Sequence, residues 1–504
     1  MPSVIPKMTT LLFDMPMTTL DIITQTDFAG AIDATYHCPG AAKVAGFYEQ
    51  IRSENPDGTL ILDAGDILCA APICNLTDGT PVVQVCNTLG FDAMTLGNHE
   101  FDNGFDAMCQ VLSKAEFPIL CANIRREDTG KLLPFAKPWV MLERKGIRIG
   151  VIGLTTAYTP YMVKSFEGFL VDSPAHVLRE LIPQVRSAGA DLIIVLGHLP
   201  CTMLNGSLTG ELWDTYLEAP GADIMIGGHN VGDVACIHND TVFVKAGFSV
   251  DTIGHVRLTL DEHKNILSRE VRTFDMMTAD IPKIQPVQEQ VDSLMAPFRP
   301  ILDRPLAELP VQLNVDCWNE CALGNFYTAG LAAAAGAQIG FFNSTSIFGY
   351  MPAGTVTREM ITHVMCFDED IFAGYMTGAQ LRELFSRTYE WAHWENNRGI
   401  QFTGLRVVVD SRLPADQRVI SLTLADGTPV EDDQTYYVAT TDYIALGGND
   451  YRGITDAVDW KNTHVRTHSF FIDYLEKLGK LPHETDGRLV NLDPDWEARR
   501  TCFR

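Results

Sequence analysis

Gly97-Asn98-His99-Glu100-Phe101-Asp102 closes the apolar-rich run Phe91-Asp92-Ala93-Met94-Thr95-Leu96. It sets an amide oxygen beside an imidazole where a strand should end, and a carboxylate three residues after the imidazole. Asn98 can give a metal a neutral oxygen, His99 can meet developing negative charge, and Asp102 can orient the histidine. Leu62-Asp63-Ala64-Gly65-Asp66, Leu196-Gly197-His198 and Gly227-Gly228-His229 have the chemistry to complete such a site. An Asn-His-Glu tripeptide alone says little. Four such segments in this order, each after an apolar run, point to a metal-dependent phosphoesterase.

These side chains need a scaffold that ends several strands at one edge. The first half alternates short apolar runs with helix-like stretches. Leu20-Asp21-Ile22-Ile23, Thr59-Leu60-Ile61-Leu62, Arg148-Ile149-Gly150-Val151-Ile152 and Asp191-Leu192-Ile193-Ile194-Val195 read as strands, while 41–53 and 175–188 carry helical periodicity. That order predicts an α/β sheet with helices on its faces and functional loops after the strands. From about Asp280 to Pro310 the character changes: six prolines punctuate a helix-like segment around Val287 to Met295, which predicts a linker. Afterwards the chain starts again with Leu323-Gly324-Asn325-Phe326-Tyr327-Thr328, an alanine-rich helix and Ile339-Gly340-Phe341-Phe342-Asn343. There is no internal repeat and no low-complexity tract.

A chain of 504 residues is too long for one ordinary core. Its formal charge, 38 basic against 64 acidic side chains or −26, argues against a broad nucleic-acid or anionic-membrane surface. A phosphate substrate must then find positive charge locally, and bound metal ions are the natural source. The longest apolar runs are strand-sized, and Met1-Pro2-Ser3-Val4-Ile5-Pro6-Lys7 shows no secretory leader, so the expectation is a cytoplasmic protein. Cys86, Cys121 and Cys236 lie inside apolar runs and read as small buried hydrophobes; Cys317 and Cys321 read as ordinary reduced thiols.

From about Asp21 to Tyr451 the chain resembles the bacterial UDP-sugar hydrolase and 5'-nucleotidase family, a branch of the calcineurin-like phosphoesterases whose members are often exported. The resemblance implies an α/β, four-layered metallophosphoesterase sandwich over 18–280, a linker helix within 281–310 and a smaller α+β substrate-recognition domain over 311–504. It makes Asp66 a carboxylate bridging two metals, with Asn98, His198 and His229 completing one site. Such a ligand set suits manganese, iron or zinc better than calcium. The family's other site opens with an Asp-x-His pair. Here Asp27 matches, but Ala29 stands at the histidine position. Likewise Gly228-His229-Asn230-Val231 puts Val231 where Gly-His-x-His has its last histidine; Asp14-Met15-Pro16, before the matching strand, offers no substitute. The expectation is one tight metal and a second that is weak or absent, with His37, Cys69 and Asn230 as candidate replacement ligands. His99 and Asp102 form the implied acid–base pair.

In the family's second domain two aromatic rings hold a nucleoside and arginines hold its phosphate. Tyr451, after Gly447-Gly448-Asn449-Asp450, falls at one ring position; the other falls near Gly399, where Trp394 or Phe402 can cover the face. Asn343 matches a family asparagine, but the arginine of that run is Phe348 here, and Asp316-Cys317-Trp318-Asn319-Glu320 also lacks one. Arg358, Arg398 and Arg452 are candidate substitutes. The reading is metal-dependent hydrolysis of a phosphate ester, a nucleotide above others, giving nucleoside and phosphate. Its partners are small nucleotides or nucleosides, with no nucleic-acid polymer and no membrane. The rival is a non-enzymatic nucleoside- or ligand-binding protein on the same scaffold. A phosphate without a nucleobase gains ground if Tyr451 is buried.

Overall fold

The computed structural model describes residues 17–163, 166–204, 206–230, 232–389, 399–448, 451, 455 and 458–495, with Thr345 by its backbone alone. Five strands carry the candidate site: β1 (Thr18–Gln25), β2 (Thr59–Asp63), β3 (Ala93–Thr95), β4 (Leu192–His198) and β5 (Ile224–Ile226). The first three run parallel in one six-stranded sheet, and β4 and β5 run parallel in a second.

Side-chain alternation explains why the sheets stack. Leu20, Ile22, Leu60 and Leu62 turn toward the second sheet, where they meet Ile194, Leu196, Ile224 and Ile226. The intervening Ile23 and Ile61 face helices Ala41–Glu54 and Thr80–Leu89. On the far side, Ile193 and Val195 pack against Pro174–Ser187 and Glu211–Glu218. A strand buried on both faces reads as a continuous apolar run, as these do. The result is helix, sheet, sheet, helix: the four-layered sandwich implied by the resemblance.

Helix Gln285–Met295, in the predicted linker, lays Val287, Val291 and Met295 into the first domain's helix-side core. The second domain is built on a five-stranded sheet in the order Ile400–Thr403, Ile339–Asn343, Thr435–Thr441, Asp370–Thr377, Lys461–Arg466. Helices Ala322–Ala335 and Thr467–Leu478 cover one face and Gly378–Thr388 the other. Thr377 and Gln380 start the last of these with a reciprocal capping box. No helix among the described residues is long and apolar enough to cross a membrane.

One buried ion cluster pins β1 at the sheet's centre. Asp21 is fully buried and accepts from His255 Nε2 and Arg257 Nε, each at 2.7 Å, and from Asn55 Nδ2 at 2.7 Å. Burial alone would raise this carboxyl, but those donors hold it well below the ordinary carboxylate range. Because the folded value is depressed, the stabilisation is present above pH about 4 and is lost as pH falls toward the folded value. Asp21→Ala strands buried His255 and Asn55 and should cost about 3 kcal/mol. Thermal unfolding at neutral pH checks this: a drop of several degrees is expected, and a midpoint within a degree of wild type removes Asp21 as a keystone.

Candidate active site

Every strand from β1 to β5 delivers a polar side chain at or just after its C-terminal end. Asp27 follows β1, Asp66 follows β2, Asn98 and His99 follow β3, His198 is the last residue of β4, and His229 follows β5. The turns are tight enough to force non-glycine residues into the left-handed region: Asp27 at φ 48°, Ala29 at 53°, Asp66 at 59° and His229 at 76°. Each costs on the order of 1 kcal/mol and persists only where surrounding structure fixes it.

Glu100 supplies much of that fixing. Its buried carboxylate accepts the backbone N–H of Asp66 (3.0 Å), Ile67 (2.7 Å), Leu68 (3.3 Å) and Gly97 (2.6 Å), tying the turn after β2 to the turn after β3. Burial and the neighbouring Asp66 push its pKa up to about 7. Sequence reasoning missed this role. The signal was available: a carboxylate three residues after Gly97, opening a helical turn, can reach back to an orphan amide. Gly97 itself is required, since a Cβ there would lie 2.0 Å from Asp66 Oδ1.

Asp66 is held at both oxygens. Oδ1 accepts the His99 N–H at 2.8 Å, and Oδ2 lies 3.0 Å from His198 Nε2. Burial would raise its pKa, but the imidazoles of His198, His99 and His229 hold it far below the ordinary range. His198 donates through Nδ1 to the Ala64 carbonyl at 2.7 Å, which turns Nε2 toward Asp66. Burial would lower the His198 pKa, but Asp66 outweighs it and raises the value to about 9. His229 goes the other way: burial and nearby His198 push it down to about 3, leaving a neutral imidazole with Nδ1 2.9 Å from Asn98 Oδ1.

The donor set fits one divalent cation. Ligand atoms of Asp66, His198 and His229 lie within 4.8 Å of one another, and Asn98 adds an amide oxygen beside them. The buried Nε2 of His198 has no well-aligned hydrogen bond among the described residues, as befits an atom aimed at a cation. The carbonyl behind His198 orients the ring as metal-bound histidines require.

The other half-site does not fit. Asp27 Oδ2 accepts from Thr26 Oγ1 at 2.6 Å and from the His229 N–H at 3.0 Å, and burial raises its pKa. Ala29, 1% exposed, packs with Cys69, Ala70 and Cys366 under Phe248, Phe348 and Phe367. Val231 lies outside the described residues. The candidate replacement ligands are engaged elsewhere. His37 stacks on His363, ring centroids 3.7 Å apart. Asn230 accepts from Cys201 N–H at 3.0 Å and donates to Thr202 Oγ1 at 2.7 Å. Burial raises the Cys69 thiol well above its ordinary value, so it is a poor ligand.

His99 stands at the rim, with 21% of its side chain exposed and Nδ1 2.8 Å from Asp102 Oδ2. Burial would lower its pKa; Asp102 and Asp66 outweigh that and raise it to about 10. Phe367 of the second domain stacks on the ring, centroids 5.1 Å apart and planes 26° from parallel. Nothing in the sequence singled out Phe367.

The expected nucleoside pocket needs correction. Tyr451 is fully buried in the second-domain core, within hydrogen-bond distance of Thr388 Oγ1 at 3.1 Å, and offers no face to a ligand. Phe402 is core as well, edge-on to Phe385. Asn343 is 1% exposed and its Nδ2 donates to Ser346 Oγ at 2.7 Å, inside the domain. Gly447 (φ 93°) and Gly448 form the turn after helix Asp442–Ala445, where a Cβ on Gly448 would lie 2.6 Å from the Tyr443 ring. Trp394, Arg398, Asn449, Asp450 and Arg452 lie outside the described residues. Phe348, in place of an arginine, stacks on Phe248 at 4.9 Å.

Parallel strands from two mixed sheets converging on a carboxylate, an amide and two imidazoles define a metallophosphoesterase. Calcineurin-like phosphoesterases match over residues 36–233, and the 5'-nucleotidase C-terminal domain matches over residues 305–456. The chain thus carries a calcineurin-like phosphoesterase domain followed by a 5'-nucleotidase C-terminal domain, and it is a metal-dependent phosphoric ester hydrolase. The trifunctional nucleotide phosphoesterase protein YfkN of Bacillus subtilis is 24% identical over 91% of this chain, which spans 34% of that relative. A snake venom 5'-nucleotidase of Crotalus adamanteus is 24% identical over 90% of this chain and 83% of its own length. The crystal structure of a 5'-nucleotidase precursor from Thermus thermophilus superposes with a TM-score of 0.83 at 23% identity, covering 95% of this chain and all of that one.

If Glu100 sets the Asp66 turn, Glu100→Gln puts an amide N–H against a ring of N–H donors and should weaken metal binding about 10- to 100-fold. Calorimetric titration with Mn²⁺ checks it; unchanged affinity removes Glu100 from the support of the site.

Proposed function

We propose that this protein hydrolyses nucleoside monophosphates to nucleoside and phosphate, using one tightly held divalent transition metal. The observation that carries the reading is the His99–Asp102 pair standing beside the Asp66–Asn98–His198–His229 donor set, with an aromatic ring of the second domain on His99. Relatives named as 5'-nucleotidases support the choice of a nucleotide.

A bound divalent cation supplies positive charge against the phosphoryl oxygens and a more acidic water. The chain's own residues do the rest. Asp66 stays ionised because three imidazoles surround it, and His99 is kept protonated by Asp102 and Asp66. A protonated imidazole at the rim can neutralise charge on the transferring group or protonate the leaving oxygen. Asp102 fixes which ring nitrogen faces the substrate. Phe367, half-buried at the interface, offers an aromatic surface near the leaving group once it moves off His99.

One observation favours a second reading, a phosphate ester without a nucleobase: Tyr451 is core, and Phe348 cannot clamp a phosphate as arginine does. A phosphate-release screen on metal-loaded enzyme separates the two. Higher kcat/KM for nucleoside monophosphates than for sugar or glycerol phosphates supports the first reading, and the reverse order supports the second. Release from none of them defeats both.

On the best substrate, His99→Ala should cut turnover about a hundredfold or more with metal content spared, and Asp102→Asn should act in the same direction but less. Wild-type turnover in His99→Ala takes the residue out of the reaction. Stacking of a base on an aromatic ring is worth roughly 1–3 kcal/mol, so Phe367→Ala should raise KM for a nucleotide about tenfold or more. Equal KM in the variant excludes Phe367 as a base platform.

A further inference from the structure

His37, in the loop after β1, reaches across to the second domain and stacks on His363, ring centroids 3.7 Å apart and planes 24° from parallel. Both ring nitrogens of His37 are buried and have no hydrogen-bond partner among the described residues. Nδ1 lies against second-domain backbone, where a Cβ on Gly349 would stand 3.2 Å away. His363, on helix Arg358–Val364, is 8% exposed. Two neutral imidazoles can share this space. Two imidazolium rings cannot, because each would lose its water and face a like charge across the stack.

The surroundings give neither ring a counter-charge. Tyr36 and Tyr350 flank the pair with their rings. Glu359, one turn before His363, is engaged with Arg299, which also pairs with Asp33 and Asp303. Burial raises the Glu359 carboxyl, so falling pH favours its buried form and works against opening. Cys38 and, on helix Pro72–Thr77, Cys74 are thiols that burial keeps neutral. On helix Thr467–Leu478, His468 donates Nε2 to the Met365 carbonyl at 2.6 Å within the second domain, where Arg358 also acts on it. Glu476 of that helix pairs with Arg304, and its Asp473 and Lys477 are exposed. Strand Gly354–Thr357 brings no titratable group. Burial, with His363 helping at His37, therefore holds His37 at about 3 and His363 at about 4, against an ordinary 6.5.

The stack also sits close to the cover of the active site. His363 lies four residues before Phe367, the ring on His99. Cys366 between them is 2% exposed and belongs to the cluster with Ala29, Cys69 and Ala70 of the first domain.

We propose that the His37–His363 stack is a proton-operated latch between the domains: protonating it parts the interface and lifts Phe367 off His99. The consequence for catalysis rests on the proposed function; the opening itself does not. Both histidines are depressed in the closed form, so above their ordinary 6.5 they are neutral in either form and closure keeps its full strength. Below that value the open form takes up protons that the closed form refuses. Closure then weakens about tenfold per pH unit for each histidine, until the closed-form values are reached.

The test is the rate at which iodoacetamide alkylates Cys366 in the full chain, located by mass spectrometry and divided by the rate in the unfolded chain at the same pH. That ratio reads the open fraction without substrate or metal. Cys321, in the second-domain core, is the control for unfolding. From about pH 7.5 to about 5.5 the Cys366 ratio should rise about a hundredfold while that of Cys321 stays level. His37→Phe and His363→Phe each keep a flat ring and remove one proton site, so each should cut the rise to about tenfold. The double variant should show none. A wild-type rise below about threefold, an equal rise at Cys321, or the full rise in the double variant overturns the latch. His37→Gln repeats the single substitution if a phenylalanine variant fails to fold, and the wild-type profile stands without any of them. A chain that opens as expected but releases phosphate from no nucleotide upholds the latch and defeats the proposed function, a separate failure.

Discussion

The Glu100 carboxylate, accepting four backbone N–H groups, is the contact on which the site's geometry depends. It joins the turn that aims Asp66 to the turn that aims Asn98 and His99. Once these two turns are fixed, the His99 N–H can reach Asp66 Oδ1, and Asp66 Oδ2 can meet His198 from the other sheet. Both sheets are thus stitched at their C-terminal edge by a few charged hydrogen bonds. Behind them Gln25 Nε2 donates to Asp63 Oδ2 at 2.6 Å, and Asp63 Oδ1 accepts the Gly65 N–H at 2.8 Å, a second layer that keeps the β2 turn in register. Buried polar groups satisfied in this way specify one arrangement, because any other leaves them unpaired.

The convergence of Asp27, Asp66, Asn98, His99, His198 and His229 was legible because each follows an apolar run, and parallel strands end at one edge. Helix and strand positions in the first domain were legible for the same reason: Ile22 and Ile23, or Ile194 and Val195, must face opposite layers. Tyr451 was not. A tyrosine beside flexible glycines looks the same in sequence whether it faces a ligand or the core, and only packing against helix Gly378–Thr388 decides. Phe367 was invisible for a related reason. Its partner, His99, is far away in the chain, and no local periodicity reports such a contact.

The interface between the domains is part of the site. His37 and His363 stack across it, flanked by Tyr36 and Tyr350, whose hydroxyl donates to the Tyr36 carbonyl at 2.9 Å. Burial holds both imidazoles neutral, His37 at about 3 with help from its neighbour and His363 at about 4, so the stack carries no like-charge repulsion at neutral pH. Arg299 pairs with Asp33 of the first domain and with Glu359 of the second. These contacts bring Phe367 onto His99 and Phe348 onto Phe248.

That arrangement constrains how a substrate reaches the metal centre. Phe367 occupies one face of His99, so under the proposed mechanism a productive complex requires the ring to withdraw. It cannot withdraw alone, because Phe348, Cys366 and Phe367 belong to one apolar cluster with Ala29, Cys69 and Ala70. Moving one exposes the others to water, at about 25 cal/mol for each Å² of apolar surface uncovered. Alanine at position 29 and phenylalanine at position 348 therefore act together. Both lie in the apolar cluster that includes Phe367, at positions where the family resemblance implies a histidine ligand and an arginine. Selectivity in such a site depends on what a substrate contributes in exchange for the apolar contact it displaces. An aromatic or otherwise apolar leaving group can cover the face of Phe367 that comes off His99, whereas a small polar ester would leave it wet.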